Sequence, residues 1–293
     1  MGCGLGLGPA IGSAVYDYLD YRGTMYMFGL LNALSLAICW YMMPSALNLN
    51  VSEPNEQEEE SAEEDDSETL TDVTWGTVLK NKHCIFAMGT VWFGMFLCVY
   101  FVGFIAEEML REGFSDNAAG YILGTQCLVY FLFCIGYPYL FGQWPRKLQF
   151  VLAFCGFGLA HLMIGPSQFL NLQDSVALRV CGFAFLGFCE VFVFIPIIPE
   201  MLEHLQVDLK ISEAKNEALY NKLNDKVNDL YGFIYALGDL SGPLIGAWLY
   251  GAAGMRHAFD ATALFAFGWA LVLFVYNCGP NFIEENQRFE EEL

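Results

Sequence analysis

The chain has 293 residues, of which 56% are hydrophobic, and its mean hydropathy is +0.41. This composition is too apolar for an ordinary soluble domain and is typical of a polytopic, all-α membrane protein. Its formal net charge of −20 argues against nucleic-acid binding, because acidic side chains repel phosphates. The charge is concentrated in two segments, Glu53–Glu68 and Glu284–Glu292, so the apolar stretches are nearly free of acids.

The ten cysteines do not form a zinc-binding pattern, and most lie inside apolar runs as small hydrophobic residues. The sequence also lacks the HExxH, Walker and G-x-S-x-G motifs of common enzyme classes. We therefore expect a protein that is not an enzyme and that uses no metal and no cofactor.

Eight stretches are apolar enough to cross a bilayer as helices, for which about 20 residues are needed. The first stretch is the shortest and the richest in glycine, and we include it because its sequence recurs in the seventh. In chain order the predicted spans are Cys3–Tyr18, Thr24–Pro44, Ile85–Ala106, Ala118–Phe141, Leu148–Pro166, Val176–Pro199, Leu230–Gly251 and Ala258–Cys278.

Polar segments separate and follow these spans. Residues 47–80 are acidic and rich in serine, so we predict a largely disordered linker there. Leu205–Asn228 has spaced leucines among charged residues and is predicted to form a surface helix that leads into the seventh span. Residues 281–293 form an acidic tail.

The lysines and arginines predict the orientation of the helices. If the first span starts in the cytoplasm, nine basic residues are cytoplasmic and four lie on the opposite side. The positive-inside rule then places both termini, the linker and the tail in the cytoplasm. This orientation is compatible with the plasma membrane and with a vesicle or organelle membrane.

A glycine-rich motif occurs twice, at Gly4–Arg22 and Gly238–Arg256, and the two copies align without a gap. Glycines at every fourth residue form one stripe of a helix, which lets another helix approach closely. The Gly-Pro step predicts a kink, since proline removes one backbone hydrogen bond. We favour a packing role over a chemical one for the residues of the motif: Gly4, Gly8, Pro9 and Gly12 in the first copy and Gly238, Gly242, Pro243 and Gly246 in the second.

This motif, Gly-Pro-x-x-Gly followed by Tyr and then Arg, resembles the antiporter motif of the major facilitator superfamily. The resemblance implies helices five to twelve of a transporter in which a cytoplasmic linker joins two six-helix halves. Residues 1–46 would be the last two helices of an N-terminal bundle, whose first four helices would precede Met1. Residues 81–280 would be a complete C-terminal six-helix bundle.

Two further stretches carry the resemblance. GQWPRK, with Gly142, Arg146 and Lys147, lies where the family has a glycine followed by a basic pair in a cytoplasmic loop, although the family's usual Asp is absent. Within the superfamily the chain most resembles the vesicular amine and polyamine transporters, judged by Ile195–Glu203 and by the second glycine motif. Membership of this branch would imply a cationic substrate.

Among the acids inside predicted spans, two stand out as candidates for a function, Glu190 in the sixth span and Asp239 in the seventh. An ionised carboxylate at bilayer depth is unfavourable by roughly several kcal/mol, so such acids usually face a cavity and have a function. In a proton-coupled antiporter, such a group would alternate between carrying a proton and pairing with a cationic solute. A structural role stays open for both acids, and for Asp239 it would be a hydrogen bond across the packed glycine stripe.

We therefore expect secondary active transport of a small solute, with a cation as one candidate, by exchange for protons across the lipid bilayer. The alternative is a transport-inactive membrane scaffold or an accessory subunit of a larger assembly. Such a subunit would bind protein partners through the acidic linker or through the surface that the four absent helices would cover.

Overall fold

The computed structural model describes residues 2–42, 74–209, 211 and 216–277 of the chain. Within these residues the regular secondary structure is entirely helical, which confirms the predicted all-α class. Most of the predicted acidic linker and all of the predicted tail lie outside the described residues. The chain divides into two units, one formed by residues 14–72 and the other by residues 1–13 and 73–293.

The smaller unit contains most of helix α1, Gly2–Met42, whose part from Tyr18 to Met42 is long and apolar enough to span a membrane. The helical backbone is interrupted at Asp20, whose φ of 55° lies in the left-handed region. With its ψ of 179°, this is a backbone conformation that residues other than glycine rarely adopt. The interruption falls between the first two predicted spans, where the sequence predicts a loop.

The larger unit contains nine further helices in its described residues. Polar side chains cap several of their first turns; those of Thr74, Asn81, Ser115 and Ser175 each accept a hydrogen bond from a backbone N–H three residues later. The helices are α2 Trp75–Lys80, α3 Lys82–Val99, α4 Ile105–Arg111, α5 Asp116–Leu140, α6 Arg146–Ile164, α7 Val176–Phe194, α8 Ile197–Leu209, α9 Glu217–Ala253 and α10 Met255–Asn277.

Helices occupy all the predicted spans, but the third, Ile85–Ala106, is interrupted after Val99, and the sixth, Val176–Pro199, is interrupted after Phe194. Cys3–Tyr18 and Leu230–Gly251 are helical, but they are too short or too rich in glycine and charge to count as candidate spans. The predicted surface helix, Leu205–Asn228, is divided between two helices in the structure. Helix α8 ends at Leu209, and α9 begins at Glu217 and continues without interruption into the seventh predicted span. Among the described residues, six segments are long and apolar enough to cross a membrane: Tyr18–Met42, Lys82–Val99, Ala118–Leu140, Arg146–Ile164, Val176–Leu209 and Met255–Asn277.

The core of the larger unit lies around α6, which packs against α7 and α10, while α5 packs against α7 and α3 against α9. Phenylalanine rings fill this core; Phe154, Phe157, Phe183 and Phe259 are fully buried. Helix α3 also contacts α7. This arrangement brings side chains of α3, α5, α7 and α9 together at the centre of the bundle.

Candidate functional site

The buried acid at this meeting point is Glu190 on α7, of which only 7% is exposed. The amide nitrogen of Gln126 on α5 donates a hydrogen bond to its Oε1. The thiol of Cys98 on α3 also interacts with this carboxyl. Glu190 is therefore held by two neutral groups from two other helices, an arrangement that leaves its charge uncompensated when the carboxyl is ionised.

A close approach of α5 and α7 makes the contact between Gln126 and Glu190 possible. Gly187 lies one turn before Glu190, and a Cβ atom at Gly187 would overlap with the backbone carbonyl of Gln126. Only glycine allows the two backbones to come so near at this point. The side chain of Gln126 then reaches Glu190 directly.

Aromatic and thiol groups complete the surroundings of Glu190. The hydroxyls of Tyr130 on α5 and Tyr235 on α9 interact electrostatically with its carboxyl, as do the thiols of Cys127 and Cys189. Phenol rings present electron-rich faces that attract cations. The site therefore combines one acid with amide, thiol and phenol groups contributed by four helices.

Asp239 lies apart from the buried pair of Glu190 and Gln126. Its side chain is exposed on α9, whereas the preceding residue, Gly238, is buried. It makes no hydrogen bond to a described residue, so the hydrogen bond considered across the glycine stripe does not occur among them. Tyr235, one turn earlier, interacts electrostatically with both Asp239 and Glu190.

The second copy of the glycine motif packs directly on α3, in a contact that we call the glycine seam: Gly238, Gly242 and Gly246 of α9. A Cβ atom at Gly238 would lie 2.9 Å from the Trp92 carbonyl oxygen, and one at Gly242 would lie 3.2 Å from the Phe96 carbonyl oxygen. A Cβ atom at Gly246 would overlap with the backbone carbonyl of Tyr100. The seam thus holds α9 against the α3 backbone over three successive turns.

The two copies of the motif differ in their surroundings. A Cβ atom at Gly12 in the first copy would meet nothing within 4 Å. The surroundings of the other first-copy residues, Gly4, Gly8 and Pro9, lie outside what the structure describes, although their backbone is helical. Helix α9 passes through Pro243 as one continuous helix.

The tyrosine of the second copy, Tyr250, has contacts that the sequence does not reveal. The Tyr250 hydroxyl donates to Glu108 at 2.5 Å and accepts from Arg111 at 3.1 Å, both on α4. The Tyr250 ring stacks on Phe104 at a centroid distance of 4.7 Å. The Tyr250 side chain therefore links the end of α9 to α4.

Replacing Tyr250 by Phe should lower the free energy of unfolding by about 1–2 kcal/mol, because both hydrogen bonds are lost while the ring stacking remains. Thermal unfolding in lipid nanodiscs measures the change. Tyr139→Phe is the matched control, since Tyr139 is 90% exposed, and it should leave the midpoint unchanged. Equal midpoints for the two variants would contradict the structural role of Tyr250.

The predicted loop motif lies between α5 and α6, and its arginine is engaged in ion pairs. Arg146 pairs with Glu203 and, at 3.5 Å, with Glu200, both on α8. The backbone carbonyl of Lys147 accepts a hydrogen bond from Asn277 at 3.2 Å. A Cβ atom at Gly142 would lie 2.6 Å from the Pro138 carbonyl oxygen, so the loop is closely packed on α5. The motif thus connects α6 with α8 and α10.

Sequence reasoning identifies Glu190 but misses its partners. Gln126 and Cys98 lie inside mainly apolar runs, and an amide within a membrane helix is a signal that could have found Gln126. No spacing in the sequence links residues 98, 126 and 190. The acids Glu200 and Glu203, which pair with the loop motif, are missed for the same reason.

A comparison with protein families places these features in a known group. The family model described as Major Facilitator Superfamily matches residues 1–208, which is more than half of the chain. The match includes Glu190 and the loop motif and ends before the glycine seam of α9. No curated protein and no solved structure matches the chain.

Proposed function

The chain belongs to the major facilitator superfamily of membrane transport proteins, and on this premise we propose that it exchanges protons for a small cationic solute. The observation that carries the proposal is the burial of Glu190 between neutral partners at the junction of four helices. A carboxylate so placed is stabilised by a proton or by a cation, and it favours one occupant at a time. Competition between the proton and the solute for the Glu190 carboxyl is the simplest basis for exchange.

The cationic character of the solute rests on the chemistry around Glu190. The site offers one negative charge together with the phenol rings of Tyr130 and Tyr235, and this combination suits an amine. The resemblance to the vesicular amine and polyamine transporters points to the same substrate class. Exposed Asp239 would attract the cation electrostatically before it reaches Glu190.

The remaining assignments complete the proposal. Residues 1–46 and 81–280 contribute to two helical bundles, joined by the acidic linker, with both termini in the cytoplasm. The glycine seam and the loop motif act in packing and in fastening helix ends, and they take no part in solute chemistry.

Transport by the reconstituted chain tests this function. A pH gradient imposed across proteoliposomes, acidic inside, should drive accumulation of a radiolabelled polyamine, and a protonophore should stop it. Accumulation that continues unchanged in the presence of the protonophore would contradict proton exchange. A lack of accumulation for a panel of mono- and polyamines, together with stable co-purification in a larger assembly, would instead support the scaffold alternative.

A further inference from the structure

The helical path of the larger unit breaks between Val99, where α3 ends, and Ile105, where α4 begins. Within the break the Val102 amide donates to the Val99 carbonyl at 3.0 Å, a tighter turn than that of an α-helix. In a continuous helix the carbonyls of Leu97 and Cys98 would accept from the amides four residues later. The break therefore leaves two carbonyl oxygens inside the bundle that need other donors.

Two buried polar side chains supply those donors from two different helices. His161 of α6 is fully buried, with its Nδ1 2.5 Å from the Phe157 carbonyl oxygen and its Nε2 3.1 Å from the Leu97 carbonyl oxygen. The tautomer that carries its hydrogen on Nε2 donates to Leu97. Gln126 of α5 is 8% exposed, and its Nε2 donates to the Cys98 carbonyl oxygen at 3.3 Å. Together they replace the backbone hydrogen bonds that α3 gives up at its end.

Gln126 also connects the break to the proposed exchange site. A carboxamide nitrogen carries two hydrogens, and in Gln126 they reach the Cys98 carbonyl and the Glu190 carboxyl at once. The bond to Glu190 is strongest when the carboxyl is ionised, because charge-assisted hydrogen bonds are roughly twice as strong as neutral ones. A proton or a cation on Glu190 weakens it.

We propose that Gln126 is a positioning residue that couples the occupancy of Glu190 to the helix break between α3 and α4. While Glu190 is ionised and binds no cation, its hydrogen bond to Gln126 orients the Gln126 amide so that this amide also donates to the Cys98 carbonyl. When Glu190 takes up its occupant, the amide is less firmly oriented and the break opens more readily. His161 caps Leu97 independently of Glu190 and keeps one side of the break fixed. This coupling rests on the proposed role of Glu190.

Hydrogen–deuterium exchange of the full chain in lipid nanodiscs tests the coupling without any transport assay. Gln126→Leu should raise the exchange rate of the amides in residues 100–105 by about tenfold, since one capping bond is lost. Glu190→Gln should raise it by a smaller factor, about threefold, because the neutral acceptor binds the amide less strongly. In the Gln126→Leu background, Glu190→Gln should have no further effect.

Gln149 provides a matched control within the same fold. It is a fully buried amide whose Nε2 bonds to the Phe141 carbonyl at 3.2 Å and to the Trp144 carbonyl at 3.0 Å. Its Oε1 also accepts from the Tyr137 hydroxyl at 2.7 Å, so Gln149→Leu should raise exchange around residues 137–146 and leave residues 100–105 unchanged. Gln126→Asn, which keeps an amide but cannot span both acceptors, provides a milder variant with the same expected direction if Gln126→Leu does not fold.

The coupling is overturned if Glu190→Gln leaves exchange in residues 100–105 unchanged. It is equally overturned if the effects of Glu190→Gln and a Gln126 substitution multiply as those of independent sites do. Failure of the proposed function would look different: Glu190→Gln would alter exchange at the break while proton-driven uptake persisted.

Discussion

Replacing Glu190 by Gln should reduce proton-driven uptake by the reconstituted chain by about 100-fold, the order expected when a positioned proton-transfer group is removed. Glutamine has nearly the size of glutamate, so the bundle keeps its packing. It can neither take up nor release a proton, however, and it carries no charge to pair with a cation. Uptake into proteoliposomes under an imposed pH gradient, measured from pH 5.5 to pH 8, gives the comparison.

Glu107→Gln is the matched control for that experiment. Glu107 lies on α4 with 65% of its side chain exposed and pairs with Arg111 of the same helix. Its neutralisation should leave uptake close to that of the unaltered chain. Uptake by Glu190→Gln that equals the control at every pH would refute the assignment of Glu190 as the exchange carboxyl.

Substitution of Gly246 by Leu should be the most destabilising single change in the glycine seam. A side chain at this position must displace the Tyr100 backbone, and overpacking of this kind typically lowers the free energy of unfolding by about 1–3 kcal/mol or more. Separating α9 from α3 would also disturb the surroundings of Glu190, because Tyr235 and Cys98 lie on these two helices. Thermal unfolding in nanodiscs should show a lower midpoint and a smaller yield of folded protein.

The same helix offers a control for the glycine effect. A Cβ atom at Gly232 would meet nothing within 4 Å, so Gly232→Ala should be neutral or should stabilise α9 by about 0.5–1 kcal/mol through the higher helix propensity of alanine. If Gly246→Leu unfolds at the same temperature as Gly232→Ala, the seam does not hold α9 against α3.

Hydropathy and residue spacing predict the helices well because both depend on neighbouring residues. The apolar runs that contain α3, α5, α6, α7 and α10 are long enough to identify each span without knowledge of its neighbours. The glycine motifs show the limit of this reasoning. Cys3–Tyr18 is predicted only because its sequence recurs in Leu230–Gly251, and both form helices whose hydropathy is too low to identify them as spans.

Composition and hydropathy are enough to predict the membrane class, most of the helical segments, the duplicated motif and an acid, Glu190, inside an apolar run. The residues that meet this acid depend on contacts between helices, which bring Gln126 and Cys98 beside it and leave Asp239 exposed. The reason is physical: helical periodicity fixes the faces of each helix, but the rotation and depth of one helix against another depend on packing. At Gly187 and Gly246 that packing is set by the absence of a side chain.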